Sequence, residues 1–314
     1  MPKKAIAILL ADTHLTLNPP IWRSAEDAWF EAMKRPLDEI KTLQEKHECP
    51  ILFAGDLFTR WNSTPELINF AIKNLPPAMH GIPGQHDLPL HNYEDIDKSA
   101  YQTLVLADAI KPLYPGTPTY IEEDYENHTM LVFGYPYGSK IKTIKDRTDD
   151  FIYVALAHEY VWIKGHNYTG APSESRIGTM TSEFRDGRWK GYDVVVYGDN
   201  HKGFVVRPPN KTTFVNCGSM MRTNSDQVDY KPRVYLLQHD GSVKRHFLDT
   251  SGDKFLDISK EALGDDTLDM RALLQELEKL DSSDLDFTEL VQEYLRANKI
   301  NTTICGIIRK AMGV

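Results

Sequence analysis

Ala5-Ile6-Ala7-Ile8-Leu9-Leu10-Ala11-Asp12-Thr13-His14 is an unbroken apolar run that stops at a carboxylate and an imidazole. A strand wetted on one face alternates apolar and polar residues, whereas a strand covered on both faces reads as a continuous run. The stretch therefore predicts a buried strand of an α/β sheet with Asp12 and His14 at its carboxyl end. Although Met1-Pro2-Lys3-Lys4 plus this run superficially resembles a signal peptide, polar residues follow at once without a small-residue cleavage site. A first strand of a cytoplasmic protein is the expectation.

Working outward, the same pattern returns. Ile51–Ala54 leads into Gly55-Asp56, and Met79–Ile82 into Pro83-Gly84-Gln85-His86-Asp87. Tyr153–Ala157 leads into His158-Glu159, and Asp193–Tyr197 into Gly198-Asp199-Asn200-His201. Between the early runs, Ser24 is read as capping a helix through Phe30, Met33, Leu37 and Ile40, kinked or restarted at Pro36. Pro65–Leu75 and Tyr93–Ala109 read as further helices, and Thr119–Ile121 with Met130–Phe133 as a hairpin. Later strands are expected at Thr213–Val215, Val234–Leu237 and Val243–Leu248. Beyond residue 256 the period becomes helical: Met270, Leu273, Leu274 and Leu277, then Phe287, Leu290, Val291, Tyr294 and Leu295, then Ile300, Ile304, Ile307 and Ile308.

Composition excludes several classes. The 314 residues are 41% hydrophobic and 26% charged, ordinary for a globular chain, and no apolar run is long enough for a membrane span. Cys49, Cys217 and Cys305 are odd in number and form no Cys-x-x-Cys pair, so they read as idle thiols. A net charge of −9 argues against indiscriminate coating of nucleic acid, yet bound metal ions reverse charge locally, so a DNA substrate stays open.

In an open α/β sheet the carboxyl ends of strands meet along one edge, so residues scattered along the chain can form one site. Asp12 and His14, Asp56, Gln85 with His86, His158, and Asp199 with His201 are the potential metal ligands. Each motif alone has an ordinary explanation as a turn or a structural histidine; their joint recurrence at strand ends points to a dinuclear centre. Carboxylate, imidazole and amide donors suit Mn²⁺, Mg²⁺, Fe²⁺ or Zn²⁺. Asp56 ends the central run and is the natural bridge between two ions that clamp a phosphoester. His47, His80, His91, His128, His166, His239 and His246 fall outside the pattern and read as structural or solvent-facing.

Asp12-x-His14, Gly55-Asp56-Leu57-Phe58, Gly84-Gln85-His86-Asp87, Ala157-His158 and Gly198-Asp199-Asn200-His201 resemble, in order, the motifs of calcineurin-like metallophosphoesterases. Ile82-Pro83-Gly84, Lys202 and Asn216-Cys217-Gly218-Ser219-Met220-Met221-Arg222 are similar to the SbcD-like DNA-repair exonuclease branch, phage relatives included. The resemblance implies a four-layer α/β/β/α sandwich over residues 1–255, a short β-rich cap at about 208–250, and a helical extension at 256–314. It implies that Asp12, His14, Asp56 and His201 hold one divalent ion, and Asp56, Gln85, His158 and Asp199 the other, Mn²⁺ foremost. His86 would be the catalytic acid and Asp87 would orient its ring. Two departures stand out: the family usually carries asparagine at the position of Gln85 and histidine at that of Asp199. The implied partners are DNA, an SbcC-like (SMC-type) ATPase docked on the extension, and a second copy of the chain through Pro65–Leu75 and Tyr93–Ala109. Phosphorylated small molecules, or a weakly active scaffold role, are the alternatives.

Overall fold

The computed structural model describes residues 4–122, 129–163, 187, 189–207, 212–224 and 227–256. In chain order the strands are β1 (Ala7–Leu10), β2 (Ile51–Phe53), β3 (Met79–Gly81), β4 (Lys111–Pro112), β5 (Pro118–Glu122) and β6 (Thr129–Tyr135). They continue with β7 (Phe151–His158), β8 (Val194–Gly198), β9 (Phe204–Val206), β10 (Thr213–Asn216), β11 (Arg233–Leu237) and β12 (Val243–Phe247). Two mixed sheets result, ordered β12-β11-β1-β2-β3-β4 and β5-β6-β7-β8-β10-β9. Each is parallel at its centre: β1 pairs β2 and β2 pairs β3 in one, β6 pairs β7 and β7 pairs β8 in the other.

The sheets are held face to face by alternation along the strands. Ile152, Val154 and Leu156 of β7 and Val194 and Val196 of β8 join Leu9, Leu52 and Tyr235 of the first sheet in one buried cluster. The intervening Tyr153, Ala155, Ala157, Val195 and Tyr197 pack on the opposite face with Trp189 and Phe214. Because side chains alternate with period two, His158 inherits the inter-sheet side from Leu156. Gly198 follows Val196 on that side, at the end of the neighbouring strand.

Three expectations are corrected. The described part of 208–250 is no cap: β10 pairs β8, and β11 pairs β1, so both sheets are completed by strands from this segment. Ser24 starts no helix; its N–H closes a 3₁₀ turn by donating to the Ile21 carbonyl. Helix α1 (Trp29–His47) instead runs through Pro36 without a break. A mid-helix proline costs about 3 kcal/mol, and the burial of Met33, Leu37 and Ile40, roughly 1.5–3 kcal/mol each, offsets it. Helix α2 (Pro65–Asn74) is as expected, with Thr64 as its cap. The segment expected as one helix from Tyr93 divides at Ser99 into a 3₁₀ turn (Tyr93–Lys98) and helix α3 (Ala100–Leu106), because Ser99 Oγ accepts from the Gln102 N–H.

The chain divides into two compact units, the first formed by Met1–Leu17, Met33–Met221 and Lys231–Thr250, which contains both sheets. The second collects Asn18–Ala32, Arg222–Tyr230 and the chain from Ser251. Its described part is organised on the buried Arg23, whose guanidinium donates to the Arg222 carbonyl, pairs with Glu26 and Asp253, and stacks near Trp29 and Phe255. The helices expected after residue 256, Cys305, His128 and His166 lie outside the described residues. Among the described residues, no helix is long and apolar enough to cross a membrane.

Candidate metal centre

The strand ends deliver their side chains by an abrupt change of backbone. Asp12, His14, Asp56 and Asp199 have φ of 51°, 43°, 59° and 85°, the left-handed region that non-glycine residues rarely enter. Such strain concentrates where function demands a particular orientation. Here it turns the chain out of β1, β2 and β8 as each strand reaches the same edge.

The side chains meet. Asp12, His14 and His201 offer ligand atoms within 4.8 Å of one another, as do Asp12, Asp56 and His158. His14 Nε2 lies 3.0 Å from His201 Nε2. Asp56 Oδ2 is 3.7 Å from His14 Nε2 and 3.2 Å from His158 Nε2, so it sits between the groups as a bridge should. His158 Nδ1 donates across the sheets to the Ala54 carbonyl at 2.6 Å, so that once the ring gives up its other proton the lone pair lies on Nε2, the atom facing Asp56. The Asp199 N–H donates to Asp12, and the His86 N–H to Asp56 Oδ1 at 3.0 Å.

The electrostatics match a cation site. Asp56 Oδ2, His158 Nε2 and Gln85 Oε1 are buried with no hydrogen-bond partner among the described residues. Burial drives the Asp12 carboxyl well above the usual range, against the pull of His158 and with the push of Asp56. Burial likewise raises Asp199. It would raise Asp56 too, but His158 and His86 hold that carboxylate well below its ordinary value. Burial alone would lower His158; the Asp56 carboxylate more than offsets this and holds the ring at about 10. Burial, then His201, push His14 down, leaving it neutral and able to bind a metal. Crowded buried carboxylates beside unpartnered lone pairs are what a divalent ion neutralises, so the residues fit the implied metal.

The sequence model of the calcineurin-like phosphoesterase family matches residues 7–203, which carry every one of these strand-end groups. The chain belongs to that family. No curated protein matches it. Among solved structures, a candidate 5′-nucleotidase from Staphylococcus aureus in complex with alpha-ketoglutarate is 11% identical with a TM-score of 0.44, covering 87% of this chain and 58% of its own. The NAD nucleotidase of Haemophilus influenzae is 14% identical with a TM-score of 0.42, covering 94% of this chain and 61% of its own. The phosphopantetheinyl hydrolase of Mycobacterium tuberculosis is 10% identical with a TM-score of 0.42, covering 79% of this chain and 97% of its own. The chain thus spans roughly three-fifths of the length of the first two.

Within this phosphoesterase framework the expected site residues divide. Asp12, His14, Asp56, His158 and His201 gather as ligand groups, and Asp199 joins them through Gln85, whose Nε2 donates to Asp199 Oδ1 at 2.8 Å. His86 stands beside His14 with ring centroids 5.3 Å apart. Asp87 departs from its expected role. Its carboxylate accepts from the backbone N–H groups of Leu57, Phe58 and Gly84 at 3.0–3.1 Å, and no hydrogen bond joins it to the His86 ring. It ties the loop after β2 to the loop after β3 instead of steering the imidazole.

Other side chains border the ligand cluster. His91, grouped with the structural histidines, has its ring centroid 6.5 Å from that of His86, and Tyr137 follows at 6.0 Å from His91. Asn216 donates to the Asn200 carbonyl, and Asn200 to the Val161 carbonyl, bracing the loop that carries His201. Asn216 ends β10 as the ligands end other strands, which was the available signal.

Two glycines make the approach of these loops possible. A Cβ on Gly84 would lie 2.1 Å from Asp56 Oδ1, and one on Gly198 would lie 2.4 Å from the Ala54 carbonyl and 2.7 Å from His158 Nδ1. Gly198→Ala therefore forces the sheets apart at the site. We expect a loss of about 1–3 kcal/mol in urea unfolding, with weakened metal binding through the displaced His158. A variant as stable as wild type and with unchanged metal affinity would show that the sheets yield freely here.

Proposed function

We propose that the protein is a divalent-metal-dependent phosphodiester hydrolase acting on DNA, working with an SbcC-like, SMC-type ATPase. The observation that carries the reading is how the segment resembling the DNA-repair branch is anchored. The Met220 N–H donates to the Asp12 carbonyl, and the Ser219 N–H to the His201 carbonyl, so that segment forms part of the ligand loops themselves. The Gln85 and Asp199 positions complete the donor set.

Asp12, His14, Asp56 and His201 would hold one ion, and Asp56, Gln85, His158 and Asp199 the other; such ions would supply a nucleophile from water at neutral pH and neutralise charge on the phosphate. Mn²⁺ is the ion we propose. The protein's own part is placement. His86 is fixed through its backbone N–H to Asp56 and stands next to His14, at the edge of the ligand cluster. It hands a proton from its ring to the departing oxygen of the cleaved ester. The ATPase would dock on the 256–314 extension, proposed from its helical period. Helix α2 exposes Ile72 and helix α3 exposes Leu106, apolar side chains that support pairing with a second copy.

The test compares single- and double-stranded DNA, cyclic nucleotides and nitrophenyl phosphates with the Mn²⁺-loaded protein. DNA should be cleaved, and His86→Ala should lower that rate by about 10²–10⁴-fold while metal stoichiometry is unchanged. Faster turnover of the small esters than of DNA would replace the nuclease reading by a small-molecule phosphoesterase. Undiminished DNA cleavage by His86→Ala would remove His86 from the chemistry.

A further inference from the structure

The two positions at which the chain departs from its family's pattern touch each other. Gln85 and Asp199 lie 114 residues apart in sequence, and Gln85 Nε2 donates to Asp199 Oδ1 at 2.8 Å. This contact sets the amide's orientation, because the reversed amide would place its oxygen against a carboxylate oxygen with no proton between them. With its nitrogen committed, Gln85 is left with Oε1 as a lone-pair donor, and that atom is buried without a hydrogen-bond partner among the described residues. Asp199, the partner of Gln85, lies in turn within electrostatic reach of Asp56 and His158, whose Oδ2 and Nε2 are 3.2 Å apart.

The two departures also compensate each other in shape. An asparagine at position 85 would end about 1.5 Å, one carbon–carbon bond, short of the present amide and would lose Asp199. A histidine at 199 would bring a nitrogen ligand in place of an oxygen one, and no negative charge. The extra methylene and the carboxylate make sense together.

We propose that Gln85 and Asp199 form one coupled ligand unit, which presents oxygen to a divalent ion beside Asp56 and His158 and biases that position toward Mn²⁺ or Mg²⁺ and away from Zn²⁺. The proposal rests on the metal-centre reading above. Imidazole favours Zn²⁺, whereas carboxylate and carbonyl oxygens suit harder ions. At this position His158 supplies the one imidazole among the donors named, where a histidine at 199 would supply a second.

The test is metal binding, independent of turnover. Chelator-stripped wild type, Gln85→Asn, Asp199→His and the double variant are titrated with Mn²⁺, followed by the electron-spin signal of the free ion, and with Zn²⁺ against a chromophoric chelator. Each single variant should weaken Mn²⁺ binding by about 10–100-fold, and the double variant by clearly less than the product of the two. Asp199→His should also shift the Mn²⁺-to-Zn²⁺ affinity ratio by at least ~10-fold toward Zn²⁺. Asp199→Asn keeps the shape and an acceptor for Gln85, so it remains informative if the larger changes unfold the protein; it should bind Mn²⁺ about 10-fold more weakly. Independent, multiplying effects of the two single changes, an unmoved affinity ratio, or wild-type Mn²⁺ affinity in Asp199→Asn would each overturn the coupled unit. Wild type that binds neither ion would instead overturn the metal-centre reading beneath it.

Discussion

Asp56→Asn is expected to abolish the proposed phosphoester hydrolysis and to lower divalent-metal affinity by at least ~100-fold, with the fold retained. Losing a residue that merely supports a ligand typically costs 10–100-fold in affinity, and Asp56 is the residue we propose as the bridge between the two ions. The substitution is nearly isosteric, and Oδ1 can still accept the His86 N–H. What disappears is the charge on the buried Oδ2 that faces both His14 and His158. The measurements are turnover and calorimetric metal titration on the same preparation. Retained affinity would mean that Asp12, common to both ligand groups, carries the bridge instead.

The same variant has a signature without metal. Burial lowers the His158 ring and Asp56 lifts it to about 10. A histidine whose folded value is raised contributes stability that is complete below its unfolded value near 6.5 and fades as pH rises toward the folded one. The metal-free wild type should therefore lose thermal stability between about pH 6.5 and 10, and Asp56→Asn should lack that slope. With the carboxylate gone, burial dominates and an NMR titration should find the His158 ring neutral at pH 7. A His158 ring still protonated there would assign its charge to another partner.

Asp87→Ala is expected to destabilise the protein by about 3–5 kcal/mol, among the largest single-residue effects outside the apolar core. Its carboxylate receives the N–H groups of Leu57, Phe58 and Gly84. Leu57, Phe58 and Asp87 are fully buried, so water cannot easily take over. A buried donor left without an acceptor costs about 1–3 kcal/mol, and three are released together, with some relaxation. Asp87→Asn keeps one acceptor oxygen and should fall between the two. Urea unfolding decides the matter: a loss under about 1 kcal/mol would show that the loops after β2 and β3 hold their shape without this carboxylate. Hydrolysis by the folded fraction of Asp87→Ala should fall as well, since Asp56 and His86 ride on those loops.

Local regularities of the chain were legible because their causes are local. A strand covered on both faces must be apolar throughout, so β1, β2, β7 and β8 announce themselves, and the polar residues at or just beyond their ends are the candidate ligands. Strand ends converge in any such sheet, which made Asp12, His14, Asp56, His158 and His201 readable as one centre before any contact was known. Short-range conflict was harder to weigh. Ser24 offered a cap and Pro36 a break, yet the burial of Met33, Leu37 and Ile40 carried α1 past the proline, and Ser99 divided a segment that looked continuous.

The sequence by itself determined the residue chemistry of the centre, the run of strands that delivers it, and the membership of most strands in an α/β architecture. Only the tertiary structure decided which strands share a sheet. Residues around 208–250 read as an appended cap because nothing in their pattern states that β10 lies beside β8 and β11 beside β1. The backbone task of Asp87, the nearness of His91 to His86, and the hydrogen bond between Gln85 and Asp199 are of the same kind. Each depends on loops from distant parts of the chain arriving within a few ångströms. Packing of the two sheets sets that distance, and no local periodicity encodes it.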